Sequence, residues 1–326
     1  MTTTVLTGRA TTAPGSRSRF AIDVRDFLTQ RPRQLPSRYL YDDLGSALFE
    51  AICRLPWYPL TRAEMRLLQA HAPEILNAGV TPVIELGSGS GAKLSALIAA
   101  AGSDRGRLDV HLVDVSRSAL SQARRALEIF ENVRILTHET TYEIGLEESV
   151  LAKPSPGRRL VLFLGSNIGN FDPPGRDAFL GLVRAALDAG DGFLLGVDLV
   201  KPERELLLAY DDPLGVTAAF NRNLLARINR ELQANFDLDG FAHHALWNEE
   251  RSRIEMHLRS RRRQRIDIRG ADLDFVMAEG EMIWTESSYK YDPPEIVSML
   301  ERSGFSVREQ WIDAVGRFAL TLAEAG

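Results

Sequence analysis

VIELGSGSGAK, residues 83 to 93, runs from an apolar stretch through one acidic residue into three glycines at alternate positions, and then into helical spacing. Glycine lets the backbone approach a ligand with no Cβ in the way, and the start of a helix offers unpaired N–H groups. The segment therefore reads as a strand, a ligand-binding turn and a helix, with Leu94, Leu97 and Ile98 on the helix's inward face. The same unit repeats downstream. A strand at LDVHLVD (108–114) leads to a helix with Leu120, Ala123, Leu127 and Phe130 on one side, and a short strand follows at VRILT (133–137). RLVLFLG (159–165) is apolar almost throughout, as suits a strand buried on both faces, and it precedes a helix bearing Phe179, Leu182, Val183 and Leu187. FLLGVDLV (193–200) repeats the theme. Strands alternating with helices imply a mostly parallel, doubly wound sheet with ligand sites at the carboxyl ends of its strands.

The alternation then breaks. Residues 203–236 read as helices, and 241–269 alternate polar and apolar residues as an antiparallel sheet does, for example Arg253-Ile254-Glu255-Met256-His257-Leu258. A helix with Ile296, Met299 and Leu300 follows, then two strands around 305–312 and 317–324 that form a closing hairpin. The pattern predicts a cofactor domain of residues 62–198 plus 290–326. A substrate domain of 18–61 plus 199–289 is inserted into it. Residues 1–17, rich in Thr, Ala, Gly and Ser, read as a disordered tail with no apolar core of the length a secretory signal needs.

Composition narrows the function classes. The 326 residues are 44% hydrophobic and 25% charged, as in ordinary globular proteins. A net charge of −5 argues against a surface that tracks nucleic-acid phosphates. The basic run Arg259–Arg265 (RSRRRQR) lies between strand-like segments and reads as a solvated turn. No apolar stretch reaches the ~18 residues a membrane span needs. The single cysteine, Cys53, cannot form an internal disulfide and has no metal-ligand spacing around it, so it reads as a small hydrophobe in a reducing, cytoplasmic setting. His243 and His244 are adjacent in a strand-like run and face opposite ways, so no shared metal is expected. A monomer is expected.

Two cofactor classes suit the glycine turn. Gly87-x-Gly89-x-x-Ala92 satisfies the relaxed dinucleotide fingerprint, and Asp114 at the next strand end can accept both ribose hydroxyls of either class. The segment also resembles the first motif of methyltransferases that use S-adenosylmethionine (SAM). Glu85, the closing hairpin and the lack of an evident hydride-transfer set favour SAM. The expected architecture is α/β, a Rossmann-like SAM-dependent methyltransferase sheet with an inserted α+β substrate-binding domain.

Longer segments carry a narrower resemblance: residues 40–64 (LYDDLGSALFEAICRLPWYPLTRAE), 160–170 (LVLFLGSNIGN), 199–232 (LVKPERELLLAYDDPLGVTAAFNRNLLARINREL), 253–259 (RIEMHLR) and 284–291 (WTESSYKY). Together they resemble the bacterial histidine Nα-methyltransferases of ergothioneine biosynthesis, over about residues 34–324. The resemblance implies processive, SAM-dependent trimethylation of L-histidine to hercynine. It implies that Asn170 and Tyr210 hold the substrate carboxylate, that Tyr58 and Tyr41 line the amine and imidazole region, and that Phe49 stacks near the ring. Glu286 and Ser288 would grip the imidazole, Met256 would pack beneath the substrate, and Gly165 would stay in its usual place. For the cofactor it implies Gly87, Gly89, Gly91, Lys93 and Asp114. Two departures stand out. Thr141-Tyr142 occupies the position where the family commonly has an Asp-Phe pair that brackets the adenine, and Asn167 stands where Thr is common.

These residue types make chemical sense together. A free amino acid needs donors for its carboxylate, acceptors for its amine and partners for any buried side-chain nitrogen. Taken one at a time each has a plainer reading: a Tyr or Phe near strands is core, an Asn after a strand is a turn residue, and Glu286 is a surface charge. No His or Lys stands out as a dedicated base, which leaves Tyr41, a water or bulk solvent to take the amine's proton. Other amino acids or small amines are alternative substrates, and a noncatalytic SAM or amino-acid sensor is an alternative class. A nucleic-acid methyltransferase is disfavoured by the charge and by the lack of an Asn-Pro-Pro-Tyr motif or catalytic cysteine.

Overall fold

The computed structural model describes residues 18–77, 79–102, 106–152 and 157–326. The tail expected over residues 1–17 lies outside the described residues. The chain opens with α1 (Arg19–Thr29), the two-residue strand β1 (Arg33–Gln34), α2 (Asp43–Arg54), α3 (Leu60–Ala70) and α4 (Ala72–Ile75). Strict alternation follows: β2 (Val80–Leu86), α5 (Ala92–Ala100), β3 (Leu108–Asp114), α6 (Arg117–Leu127), β4 (Val133–Glu139), α7 (Tyr142–Leu151), β5 (Arg158–Phe163), α8 (Pro173–Ala186) and β6 (Gly192–Asp198). Two helices, α9 (Glu203–Tyr210) and α10 (Val216–Leu232), precede five strands: β7 (Phe241–Asn248), β8 (Arg253–Ser260), β9 (Gln264–Ile268), β10 (Leu273–Met277) and β11 (Met282–Tyr289). The chain ends with α11 (Pro293–Arg302), β12 (Phe305–Asp313) and β13 (Phe318–Ala325).

The large sheet has seven strands in the order β12-β13-β6-β5-β2-β3-β4. β6, β5, β2, β3 and β4 pair in parallel, while β13 runs antiparallel to both β6 and β12. Helices cover both faces, so its central strands are apolar on both sides. In β5, Leu160, Val161, Leu162 and Phe163 are all buried, each contributing roughly 1.5–3 kcal/mol of burial energy. The strand order reverses between β2 and its neighbours β5 and β3, which opens a crevice at their carboxyl ends.

A second sheet has the order β1-β11-β8-β7, and β9 and β10 form a separate hairpin. α10 packs along this sheet and against α2. The α2 contact joins the Phe49 and Phe220 rings, 6.0 Å apart, to polar groups: Asp42, the N-cap of α2, accepts from Asn223 at 2.7 Å and pairs with Arg230 at 2.7 Å. Helix α6 stops at Leu127, short of the expected Phe130, which instead folds back with its N–H on the Leu127 carbonyl and its ring against the core. Leu187, expected inside α8, caps it in an extended conformation. Among the described residues no helix is long and apolar enough to cross a membrane.

Candidate active site

The glycine turn after β2 holds Gly87, Gly89 and Gly91 at φ +76°, +50° and +75°, a left-handed backbone that other residues adopt only with strain. The Gly87 N–H donates to the Val113 carbonyl at 2.8 Å, and the Gly89 N–H donates to Asp114 Oδ2 at 3.0 Å. Asp114 Oδ1 accepts from the Ser116 N–H at 2.9 Å. Burial raises the Asp114 carboxyl while these backbone donors hold it down. Each of its oxygens keeps a lone pair for a further donor. A groove opens here, lined by Gly87, Gly89, Asp114, Thr141 and Tyr142 among others. Thr141 leads into α7, and the Tyr142 ring meets Phe163 edge-on at 5.2 Å.

Gly91 and Lys93 line neither this groove nor the adjoining cavity. A Cβ on Gly91 would sit 2.6 Å from the Ala123 Cα, so this glycine lets α5 close onto α6. Lys93 pairs with the buried Glu64 at 2.6 Å. Glu64 in turn accepts the Gly165 N–H at 2.7 Å, so the pair reaches the site through the loop after β5.

That loop builds one wall of the second cavity. Gly165 and Ser166 both have positive φ (+77° and +59°), and Asn167–Asn170 forms a 3-10 turn. The turn is pinned on both sides. Ser166 Oγ accepts the Asp198 N–H at 3.0 Å, and a Cβ on Gly169 would lie 2.8 Å from the Tyr289 carbonyl oxygen, so β11 closes directly onto the turn.

β11 supplies the opposite wall. Its pairing with β8 slips between Trp284 and Glu286, a bulge at Thr285, whose hydroxyl donates to the Met256 carbonyl at 2.9 Å. Bulges re-aim side chains, and here Glu286 stands opposite Met256 in the ladder, with Ser288 two residues further along the same face. Tyr41 and Phe49 come from the start of the chain, Tyr58 from the turn before α3, and Tyr210 from the end of α9. The cavity they form is lined by Tyr41, Phe49, Tyr58, Gly165, Asn170, Tyr210, Met256, Glu286 and Ser288, together with Ile52, Ser166, Asn167, Ala209, Thr217 and Phe220. Tyr41, Phe49, Asn167, Asn170 and Glu286 also line the groove, so the two spaces meet there.

The cavity is electrostatically unusual. The Glu286 carboxyl is pushed up to about 7 by burial, with Lys290 opposing the rise. No hydrogen bond to that carboxyl is present among the described residues. Burial also raises the phenols of Tyr41 and Tyr58 well above their ordinary value, so both stay neutral near pH 7. Tyr41 stands where the two spaces meet, within reach of a substrate in either. Deeper in, the fully buried Lys290 pairs with Asp198 at 2.9 Å. Burial favours its neutral form, but Asp198 and Tyr210 outweigh it and hold the ammonium charged. Lys290, Asp198, Glu64 and Phe220 carry no role in the sequence analysis. Lys290 stands two positions after Ser288, on the alternation that already joins Glu286 and Ser288, and that spacing was the available signal.

His243, on β7, meets Asn221 Nδ2 through Nδ1 at 2.9 Å and the Tyr210 carbonyl through Nε2 at 2.8 Å. Burial lowers its pKa, so the neutral ring braces the end of α9.

A left-handed glycine turn at the crevice of a doubly wound sheet, joined to a polar, aromatic-walled cavity, defines a SAM-dependent methyltransferase acting on a small molecule. The family model described as "Histidine-specific methyltransferase, SAM-dependent" matches residues 20–325. The chain is 43% identical over 309 residues to the histidine N-alpha-methyltransferase of Mycolicibacterium smegmatis, covering 92% of this chain and 93% of that protein. It is 42% identical over 304 residues to the histidine N-alpha-methyltransferase of Mycobacterium tuberculosis, with the same coverage. It is 29% identical over 272 residues to ergothioneine biosynthesis protein 1 of Neurospora crassa, covering 78% of this chain and 31% of that larger protein. The chain belongs to the histidine-specific, SAM-dependent methyltransferase family.

Proposed function

We propose that the enzyme methylates the α-nitrogen of L-histidine three times, giving hercynine for ergothioneine biosynthesis. The observation that carries this reading is the cavity itself. Residues from five separate parts of the chain converge there, and it shares one wall with the groove at the glycine turn. Glu286 takes an imidazole N–H, Ser288 meets the other ring nitrogen, Asn170 and Tyr210 hold the carboxylate, and Met256 packs below.

The groove suits SAM. The backbone at Gly87 and Gly89 is open to close approach, and a Cβ on Gly87 would meet Asn167 Nδ2 at 2.9 Å. Asp114 offers free lone pairs to a ribose. SAM supplies an electrophilic methyl on a sulfonium sulfur. The protein's part is to point the amine lone pair at the junction by Tyr41 and Asn167 and to exclude water, since positioning supplies most of the rate in such a displacement. The amine's proton leaves to solvent before each transfer.

Successive methylation needs walls that accept a growing, apolar cation. Aromatic rings provide one: Tyr41, Phe49 and Phe220 sit 5.5–6.0 Å apart, and Tyr58 lies 6.1 Å from Tyr210. Ring faces attract alkylammonium groups.

The same reading takes residues 62–198 with 290–326 as the cofactor unit and 18–61 with 199–289 as the substrate unit. In support, the seven-stranded sheet draws every strand from the former and the smaller sheets draw theirs from the latter. It also takes the protein as a cytoplasmic monomer, and the single cysteine suits a reducing compartment.

The test is competition. Incubation with SAM and an equimolar mixture of the twenty amino acids, followed by mass spectrometry, should give methylated histidine alone. A different product would replace the substrate assignment. Asp114→Ala should weaken SAM by at least about tenfold in calorimetry, as the loss of charge-assisted hydrogen bonds worth ~1.5–3 kcal/mol each implies. Unchanged affinity would remove SAM's ribose from this carboxylate.

A further inference from the structure

Behind the cavity, Lys290 Nζ lies within 2.9 Å of three oxygens: Tyr210 Oη at 2.8 Å, Ser288 Oγ at 2.9 Å and Asp198 Oδ2 at 2.9 Å. The two hydroxyl oxygens are themselves 2.8 Å apart. All four side chains are buried. Asp198 is held from the other side by Lys201, whose Nζ lies 2.6 Å from Oδ1 and donates to the Gly316 carbonyl at 2.9 Å.

An ammonium only donates, whereas a hydroxyl has one proton and two lone pairs. The protons of Tyr210 and Ser288 therefore cannot point at Lys290. With no ligand, one hydroxyl donates to the other and the remaining proton faces the cavity. A ligand that brings two acceptors, a carboxylate and an unprotonated ring nitrogen, can draw both protons, and each oxygen still accepts from Lys290. A ligand that presents donors at these two points meets protons and is rejected.

We propose that Lys290 is a positioning residue for the amino-acid substrate: its ammonium turns the Tyr210 and Ser288 hydroxyl protons toward the substrate and so fixes both as donors. The proposal rests on the reading of Tyr210 and Ser288 as substrate-holding residues. Asp198 and Lys201 keep the ammonium in place at the seam where residue 291, just past β11, bridges to residue 199, just past β6. Replacing Lys290 by Met leaves Asp198 paired with Lys201 and removes the constraint on the hydroxyls.

The experiment compares Lys290→Met, Lys290→Gln, Tyr210→Phe, Ser288→Ala and the double variant Tyr210→Phe/Lys290→Met. Steady-state kinetics give the histidine parameters, and calorimetry gives the SAM dissociation constant. Lys290→Met should raise the histidine KM by about thirtyfold or more with kcat changed by less than about threefold, the pattern of lost substrate binding. SAM binding should stay within about twofold, because the groove lies outside this network. Lys290→Gln keeps two N–H donors and should recover at least about tenfold of the loss. The double variant should be no more than about threefold worse than the worse single, because residues acting through one another are not additive.

Multiplying effects in the double variant would overturn the proposal. So would an unchanged KM in Lys290→Met while Tyr210→Phe and Ser288→Ala raise it. If neither hydroxyl variant moves the histidine KM, the underlying reading of the pocket fails and the proposal fails with it. If Lys290→Met loses SAM binding and so has lost its fold, the same cycle run with Lys290→Gln decides the matter by the same criterion.

Discussion

Glu286 combines burial with a carboxyl raised to about 7 that takes no hydrogen bond among the described residues. Such a group is costly in the empty protein and gains most from a ligand that brings an N–H. Replacing Glu286 with Ala leaves an imidazole N–H unpaired at a cost of ~1–3 kcal/mol. Histidine kcat/KM should then fall by roughly ten- to a hundredfold, while tryptophan loses little or gains. Asn170→Ala and Tyr210→Phe act at the end every amino acid shares and should weaken both substrates alike. Equal losses for both substrates in Glu286→Ala, read from kcat/KM, would disprove the imidazole clamp. The cavity residues were legible because aromatic and amide side chains at family-matched positions point to one kind of ligand. Lys290, Asp198 and Glu64 were not, since charged residues are ordinarily exposed and only the fold shows Lys290 buried against Asp198 and Glu64 against Lys93.

Among the elements, the join of α5 to α6 depends on Gly91. Gly91→Ala adds a left-handed strain of ~1–2 kcal/mol and an overpacking cost of ~1–3 kcal/mol against Ala123. Gly190→Ala meets the strain alone, because no atom lies within 4 Å of its added Cβ at φ +88°. Urea unfolding should therefore show Gly91→Ala as the less stable of the two by about 1–3 kcal/mol, and equal stabilities would refute the packing role. The alternating strands and helices were legible from periodicity, since strands buried on both faces are apolar throughout and the helices between them carry a single apolar stripe. The bulge at Thr285 was not, because the polar run Thr285-Glu286-Ser287-Ser288 has no alternation to interrupt and the slip shows only against β8. Gly91 read as a ligand residue for a similar reason. Its partner Ala123 is thirty-two positions away on another helix, and spacing within the turn carries no trace of it.

At the scale of the whole molecule, two buried carboxyls make stability depend on pH. Burial raises Glu286 to about 7 and Glu85 to about 8 from an ordinary 4.5. In both cases the fold prefers the protonated form. The stability this gives is complete below about pH 4.5 and is lost as pH rises through about 7 and about 8. Glu286→Gln stays neutral and should escape its share of that loss. Between pH 5 and pH 8 the ligand-free variant should lose less unfolding free energy than the wild type, by about 2–3 kcal/mol. Parallel curves would show that Glu286 is not buried as described. The groove and the cavity share one wall, at Tyr41, Phe49, Asn167, Asn170 and Glu286, and under the proposed reading the methyl group arrives there and meets the α-nitrogen. NMR of the product made from L-histidine and excess SAM reads the site of methylation directly. The account predicts three equivalent methyl groups on the α-nitrogen and none on the ring, and a methyl on either imidazole nitrogen would contradict it.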